Sequence, residues 1–428
     1  MKSPGRPLKR RMRVALVAGI VLASLLAVGW RFVPASADTV TNPVITWDVN
    51  AQTAIWDVAQ QQPNVQARSF AIVHGAIYDA VNAIAGTPYQ PYLVAPAAKG
   101  AESVDAAVAT AAYQTLVFMF PNQQARLLEQ YNQSLAAIPD GTSKQGGIAV
   151  GGKAAAAMVA ARTNDGADGT EQWVVGTQPG QWRPTPPTFA SSGASGGHVK
   201  PFLIPSGSMF RTAGPPALTS AQYAKDINEV KAIGAVNSTL RTTDQTQAAI
   251  WWQDRHLSEW DIKRQIATNQ HLNSLQAARM FAIVDLTEAD TSIACFNEKE
   301  AWMRWRPVTA IQLADTDGNA ATVADPTWMP LLVTPPHPDY TSGHTCFTAA
   351  SMDTLAFFFH TDRMSFSAHS ADSGTTRSFT CFSQAVTEVI NARIWGGIHT
   401  RAADVQGAKI GTEVSDYVTA RFFKPLKK

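Results

Sequence analysis

Cysteine is scarce in this chain: 428 residues contain three, Cys295, Cys346 and Cys381. Three cysteines cannot build a disulfide scaffold, and the odd count leaves at least one thiol unpaired. There is no C-x-x-C pair, no H-E-x-x-H and no EF-hand loop, which removes the common zinc and calcium centres. Charge is also sparse. Only 16 % of residues are charged and the net charge is +2, which excludes a strongly basic nucleic-acid binder. Convincing strand alternation and internal repeats are missing. Beyond residue 30 no apolar run reaches the roughly eighteen residues of a membrane span.

Apolar residues are plentiful: 45 % of the chain, with twelve Trp and eighteen Phe. Such a chain buries a large core, which rules out wholesale disorder. Residues 1–37 carry seven Lys/Arg and no acid, leaving 28 basic residues against 33 acidic ones in the remainder. Within that segment basic residues run to Arg13, an apolar stretch follows from Val14 to Trp30, and Ala35-Ser36-Ala37 supplies small residues. This order predicts a secretory signal peptide over 1–37, with an uncleaved anchor as the other reading of the same pattern. Cleavage after Ala37 predicts a secreted or periplasmic protein, residues 38–428, without membrane attachment.

Apolar spacing of three to four predicts helices over 47–85, 102–138 (broken at Pro121) and 145–162. Residues 163–218 are dense in Gly, Pro, Thr and Ser and predict a long irregular connection, a kind of loop that often lies over a site. Ala235 to Arg306 contains neither Gly nor Pro and predicts two or more long helices. The runs 344–373 and 375–395 predict further helices. The fold class expected is all-α, built of packed helical bundles in a single domain. Two motifs tempt and fail. GIAVGGKA at 147–154 resembles a phosphate loop but ends in Ala154, with no hydroxyl for magnesium. GASGG at 193–197 sits in a Gly-rich loop rather than the strand-to-helix turn a nucleophile elbow needs.

Three blocks between 295 and 410 concentrate polar groups in apolar surroundings. In KEAWMRWRP, Lys299 and Arg306 are seven residues apart, nearly two helical turns, which predicts both cations on one helix face. In PPHPDYTSGHT, Ser342-Gly343-His344 predicts a helix start whose backbone N–H groups meet an oxyanion, with His344 as an acid or base. In NARIWGGIHTRAAD, Arg393 offers a planar fork, Gly396-Gly397 break the helix before His399, and Asp404 is placed to orient the His399 ring. Any one of these histidines has a bland structural reading. Together, three cations, a Ser-Gly helix start and two histidines predict one tetrahedral-oxyanion site.

The ordered pattern K-x6-R-P, S-G-H, R-x5-H resembles the superfamily of vanadium-dependent haloperoxidases and type 2 phosphatidic-acid phosphatases. RPVTAI at 306–311 and GGIH at 396–399 are similar to its bacterial haloperoxidase branch, and AIVHGAIYDAVNAI and WRPTPP extend the likeness from Trp47 to about Asp404. The resemblance implies two four-helix-bundle-like halves and vanadate as cofactor, with phosphate able to occupy the same site. Lys299, Arg306, Arg393, Ser342 and the Gly343 N–H would hold the vanadate oxygens. His399 would be the only protein bond to the metal, His344 the acid–base residue, and Lys299 the group that polarises peroxide. The partners implied are hydrogen peroxide, a halide and small organic acceptors, with hypohalous acid as product. His337, five residues before Ser342, resembles the bromide- or iodide-oxidising members. Phe296 lies where it could share that halide pocket, although either residue can equally serve packing alone.

Two departures stand out. Thr341 occupies the position before S-G-H where proline is usual, and Asp404 follows His399 by one position more than in the phosphatases. Cys346, beside His344, is exposed to the product's oxidising power unless paired, and Cys381 is the partner expected. The competing reading is a secreted acid phosphatase with His399 as nucleophile and His344 protonating the leaving group. A non-catalytic oxyanion binder is the third, and it has no need of His344.

Overall fold

The structure is a computed structural model that describes residues 42–253 and 260–426. The segment expected to be a signal peptide lies outside these. No helix among the described residues is long and apolar enough to cross a membrane.

The first helices follow their breakers. α1 (Pro43–Gln52) runs into a π-turn (Thr53–Val58), and α2 (Pro63–Ile84) starts on the proline that ended it. The 102–138 region splits at Pro121 into α3 (Val104–Met119) and α4 (Gln124–Ala136), and α5 (Thr142–Arg162) follows. A proline at a first helical turn loses no hydrogen bond, which is why both positions restart helices. The GIAVGGKA motif belongs to α5, where it serves packing. A Cβ on Gly151 would lie 2.3 Å from the Ala107 carbonyl of α3, so glycine is what lets the two helices approach.

The Gly/Pro-free stretch yields α7 (Thr243–Trp251), α8 (Ile262–Asn269) and the 29-residue α9 (Ser274–Trp302), after α6 (Ala221–Ile233). Thr242 and Asn273 cap α7 and α9 with complete capping boxes. α9 is buried nearly all round from Ala277 to Phe296 and packs against α2 on one side and against α11 (Gly343–Phe359) and α13 (Arg401–Arg421) on the other. It is shared by two helical groups, α2–α3–α5 and α11–α12–α13, where α12 is Phe382–Trp395. A helix buried on every side has no polar face, which explains its weak amphipathic signal.

Two expectations are corrected. The run 344–373 is helical only to Phe359. His360 takes a left-handed conformation there, and β1 (Phe366–Ser370) follows. The run 375–395 begins with β2 (Thr375–Phe379), paired antiparallel to β1, before α12. Ser373-Gly374 turns the hairpin, with φ +65° at Gly374. The β-branched and aromatic residues of TTRSF favour a strand over the helix that the lack of Gly and Pro suggested.

Residues 163–218 contain no α-helix, only a short 3-10 turn at Ala194–His198. The loop is pinned to the core by α9. Buried Asp290 accepts the N–H groups of Phe202, Leu203 and Ile204 at 2.6, 2.7 and 2.8 Å. Farther on, Trp182 N–H donates to the Met303 carbonyl at 2.6 Å, and Trp305 N–H donates to the Gly180 carbonyl at 2.9 Å. These bonds draw the loop across the C-terminal end of α9.

Candidate active site

Lys299 lies in the last turn of α9 and Arg306 caps α10 (Pro307–Gln312). The expected single helix face does not exist between them. The chain leaves the helix at Met303, which has φ +43°, and this turn rather than helical spacing brings the two cations together. Ser342 precedes α11 as its N-cap residue, and Gly343 and His344 form its first turn, as the helix-start pattern predicts. Arg393 is in the last turn of α12. Gly397 then turns the chain with φ +75°. A Cβ there would lie 2.4 Å from the Gly234 carbonyl, so only glycine admits this turn, and the turn delivers His399.

Lys299, Arg306, Arg393 and His399 are all buried. Lys299 Nζ donates to the carbonyls of Pro338 at 2.7 Å and Asp339 at 3.3 Å, and also to that of Thr341. Arg306 donates from Nε to the His337 carbonyl and from Nη1 to the Ile398 carbonyl, both at 2.7 Å. Its Nη2 lies 3.1 Å from His337 Nδ1. Arg393 Nη1 donates to Gln253 Oε1 at 3.0 Å. The three cations are therefore aimed largely by neutral acceptors.

His399 has a different kind of partner. Its Nδ1 is 2.7 Å from Asp339 Oδ1, and Asp339 Oδ2 accepts the Thr400 hydroxyl at 2.7 Å. The residue that orients the ring is thus Asp339, sixty positions upstream, and the expectation for Asp404 is corrected. Asp404 is buried beside Ser342 instead, and its carboxyl is raised well above the usual range by burial, against the pull of the Ser342 hydroxyl. Arg306 Nη1 stands 3.1 Å from His399 Nε2. The same Nη1 is also 3.4 Å from Nδ1 and so does not choose between the ring nitrogens. The Asp339 carboxylate, which when ionised only accepts, assigns the proton to Nδ1 and leaves the lone pair on Nε2.

The electrostatics agree. Burial, then the charges of Arg306, Lys299, Arg393 and His337, hold the His399 imidazolium well below its usual pKa, so the ring is neutral at pH 7. Burial lowers Lys299 to about 8 and Arg306 to about 10. Burial raises Asp339 to about 6. At neutral pH the cluster carries three cations against Asp339, while burial disfavours the charged form of Asp404. Such a positive surplus in a low-dielectric site calls for an anion.

A cleft of about 490 Å³ opens onto this cluster. Its walls include Gly343, His344, His399, His337 and Phe296, together with the 188–193 stretch of the long loop. His337 and Phe296 are neighbours there, with ring centroids 5.4 Å apart. A Cβ at Gly343 would meet only Phe347, at 3.7 Å, so packing does not demand glycine at this wall. The donor set suits a tetrahedral oxyanion with one imidazole nitrogen: three cations, a Ser-Gly helix start and a neutral histidine with its lone pair directed. Among the described residues no group of three or more His, Cys, Asp or Glu side chains could hold a metal ion by themselves.

Of the candidate residues, Lys299, Arg306 and Arg393 surround His399, and Gly343, His344, His337 and Phe296 line the cleft with it, whereas Asp404 is not its partner. Sequence reasoning missed Asp339 and Gln253. Asp339 lay inside PPHPDYTSGHT and was legible there as the one carboxylate of that block.

The disulfide expectation is corrected too. All three cysteines are free thiols. Cys381 is partly exposed ahead of α12, near Ser383 Oγ at 3.5 Å, whereas Cys346 is buried at the Thr341 turn.

Residues 279–428 match the family model described as the VCPO second helical-bundle domain. The chain is 23 % identical over 406 residues to the vanadium chloroperoxidase of Curvularia inaequalis, a match covering 75 % of this chain and 66 % of that protein. A crystal structure described as the first bacterial vanadium-dependent iodoperoxidase superposes with TM-score 0.74 at 24 % identity, covering 90 % of this chain and 98 % of that one. A holo-type bacterial vanadium-dependent chloroperoxidase superposes with TM-score 0.67 at 17 % identity, covering 86 % and 94 %. The chain therefore has the all-α vanadium haloperoxidase fold. The part from residue 279 onward, which matches the VCPO second helical-bundle domain model, holds every residue of the cation–histidine cluster.

Proposed function

We propose that the chain is an exported vanadate-dependent haloperoxidase that oxidises bromide or iodide with hydrogen peroxide to hypohalous acid. The observation that carries this reading is the surplus of buried positive charge around a neutral His399 whose Nδ1 is held by Asp339. Lys299, Arg306 and Arg393 would neutralise the oxyanion, Ser342 and Gly343 would contact its oxygens from the start of α11, and His399 Nε2 would be the protein's bond to vanadium. Bound vanadate supplies a Lewis acid toward peroxide.

The protein's own share is preorganisation and proton handling. Carbonyls of 337–341 and Ile398 fix Lys299 and Arg306 before any ligand arrives, so the field needs no rearrangement during reaction. His344, on the cleft wall, is the group that takes and returns a proton as peroxide enters. His337, hydrogen-bonded to Arg306 and in tilted ring contact with Phe296, flanks the halide's approach, and its polar ring supports bromide or iodide over chloride. Export rests on the charge and apolar pattern of residues 1–37.

The test offers the purified chain hydrogen peroxide and bromide or iodide, with and without orthovanadate, and follows halogenation of a dione reporter. The metal-free sample is also given a chromogenic phosphate ester. Vanadate-dependent halogenation is expected. Ester hydrolysis that vanadate inhibits, without any halogenation, would establish the phosphatase instead.

A further inference from the structure

Cys295 and Cys346 come from different helices and meet beneath the oxyanion cluster. Cys295 lies on α9 one turn before Lys299, and Cys346 lies on α11 one turn after Ser342. Their sulfurs share one hydroxyl: Thr341 Oγ1 is 3.4 Å from Cys295 Sγ and 3.7 Å from Cys346 Sγ. The Thr341 carbonyl in turn accepts from Lys299 Nζ. Thr341 thus links the two thiols directly to a cation of the site. A proline here would supply no hydroxyl.

We propose that Cys295 and Cys346 form an oxidative modification site, closed to a disulfide by hydrogen peroxide, which weakens the oxyanion site through Thr341 and reopens on reduction. The proposal rests on the peroxidase reading only for the source of peroxide in the adjoining cleft.

The chemistry balances with peroxide alone. The Cys295 sulfur attacks one peroxide oxygen, the O–O bond breaks, and one water leaves as the sulfenic acid forms. The Cys346 sulfur then displaces the sulfenic hydroxyl, the S–S bond forms, and a second water leaves. Two thiols lose two electrons in total and the peroxide gains them. Burial alone would raise the Cys295 thiol, but the Cys346 thiol and then the Lys299 charge bring it down to about 7, which favours Cys295 as the attacking sulfur. Both thiols are fully buried, so the step is slow beside turnover. Closure draws the sulfurs to about 2.05 Å, which pulls α9 and α11 together at Thr341 and shifts the carbonyl that aims Lys299.

The experiment treats the full chain, without vanadate, with excess hydrogen peroxide. Non-reduced digests are analysed by mass spectrometry, and orthovanadate binding is titrated before treatment, after treatment, and after dithiothreitol. The expected result is a Cys295–Cys346 linked peptide and roughly tenfold weaker vanadate binding, with affinity recovered on reduction. Cys381→Ser should behave as the native chain, and Cys295→Ala should show no peroxide-dependent change in affinity. Thiols that stay free or pass to sulfinic acid in the native chain would overturn the proposal, as would a linked peptide with unchanged vanadate affinity. Both readouts are independent of halide oxidation, so failure of the peroxidase reading is scored separately.

Discussion

Asp339 Oδ1 stands 2.7 Å from Nδ1 of His399, and the Thr400 hydroxyl holds the other oxygen of the same carboxylate at 2.7 Å. One carboxylate therefore sets the tautomer of the ring and its direction. Partners of this kind behind a ligating histidine typically govern affinity 10- to 100-fold. Asp339→Asn should weaken vanadate binding by roughly that factor and shift the ring-nitrogen NMR signals of His399. Asp404→Asn should leave those signals in place. Equal displacement by the two substitutions would contradict the assignment.

Lys299 gives the site a pH limit. It is a base whose buried pKa, about 8, lies below the ordinary 10.5, chiefly through burial. It is cationic below pH 8 and neutral above, so oxyanion affinity of the metal-free protein should fall as pH rises through about 8. Molybdate, a dianion across this range, is a suitable titrant because its own charge stays constant. A decline that begins only near pH 10 would refute the buried-lysine account. Stability runs the other way: between pH 8 and 10.5 the unfolded chain binds more protons, so unfolding free energy from this group rises with pH.

His337 is tied to Arg306 at 3.1 Å and lies in tilted ring contact with Phe296. His337→Phe keeps the ring contact and removes the polar one. Bromide kcat/KM should drop several-fold, about 1 kcal/mol of transition-state stabilisation, while vanadate affinity changes less. Steady-state kinetics with bromide and chloride side by side checks this. An unchanged halide ratio would remove His337 from specificity.

Stability depends on a second buried charge cluster, away from the cleft walls. Asp285 pairs with Lys263 and His74, all fully buried, and Asp48 lies 3.4 Å from the far nitrogen of His74. Removing one member leaves uncompensated buried charge. Asp285→Asn should therefore cost about 3–5 kcal/mol, read as a lower urea midpoint with the slope unchanged. A loss below about 1 kcal/mol would mean that the cluster is hydrated.

The helices were legible at the Pro121 break and where no breaker interrupted α9, whereas the interruption before Pro63 inside the expected 47–85 helical region was not read. The hairpin 366–379 was not, because the absence of Gly and Pro says nothing about β-branched residues such as those of TTRSF. The site residues were legible as ordered blocks, since each cation and histidine lies within a few positions of a helix end. Their geometry was not. Lys299 and Arg306 meet through the left-handed turn at Met303, which spacing along an ideal helix cannot foresee. Asp339 reaches His399 across sixty residues of chain. The thiol pairing failed for the same reason: Cys295 and Cys346 are brought together by packing of α9 on α11, a tertiary contact without a local signature.

The central claim is that His399 is the protein's bond to vanadium in a haloperoxidase site. Vanadium K-edge absorption on the orthovanadate-loaded chain, measured beside halide oxidation, tests it most directly. The account predicts one imidazole nitrogen among the vanadium neighbours, lost in His399→Ala together with vanadate-dependent halogenation. Oxygen-only coordination in the native chain, or undiminished halogenation by His399→Ala, would contradict it.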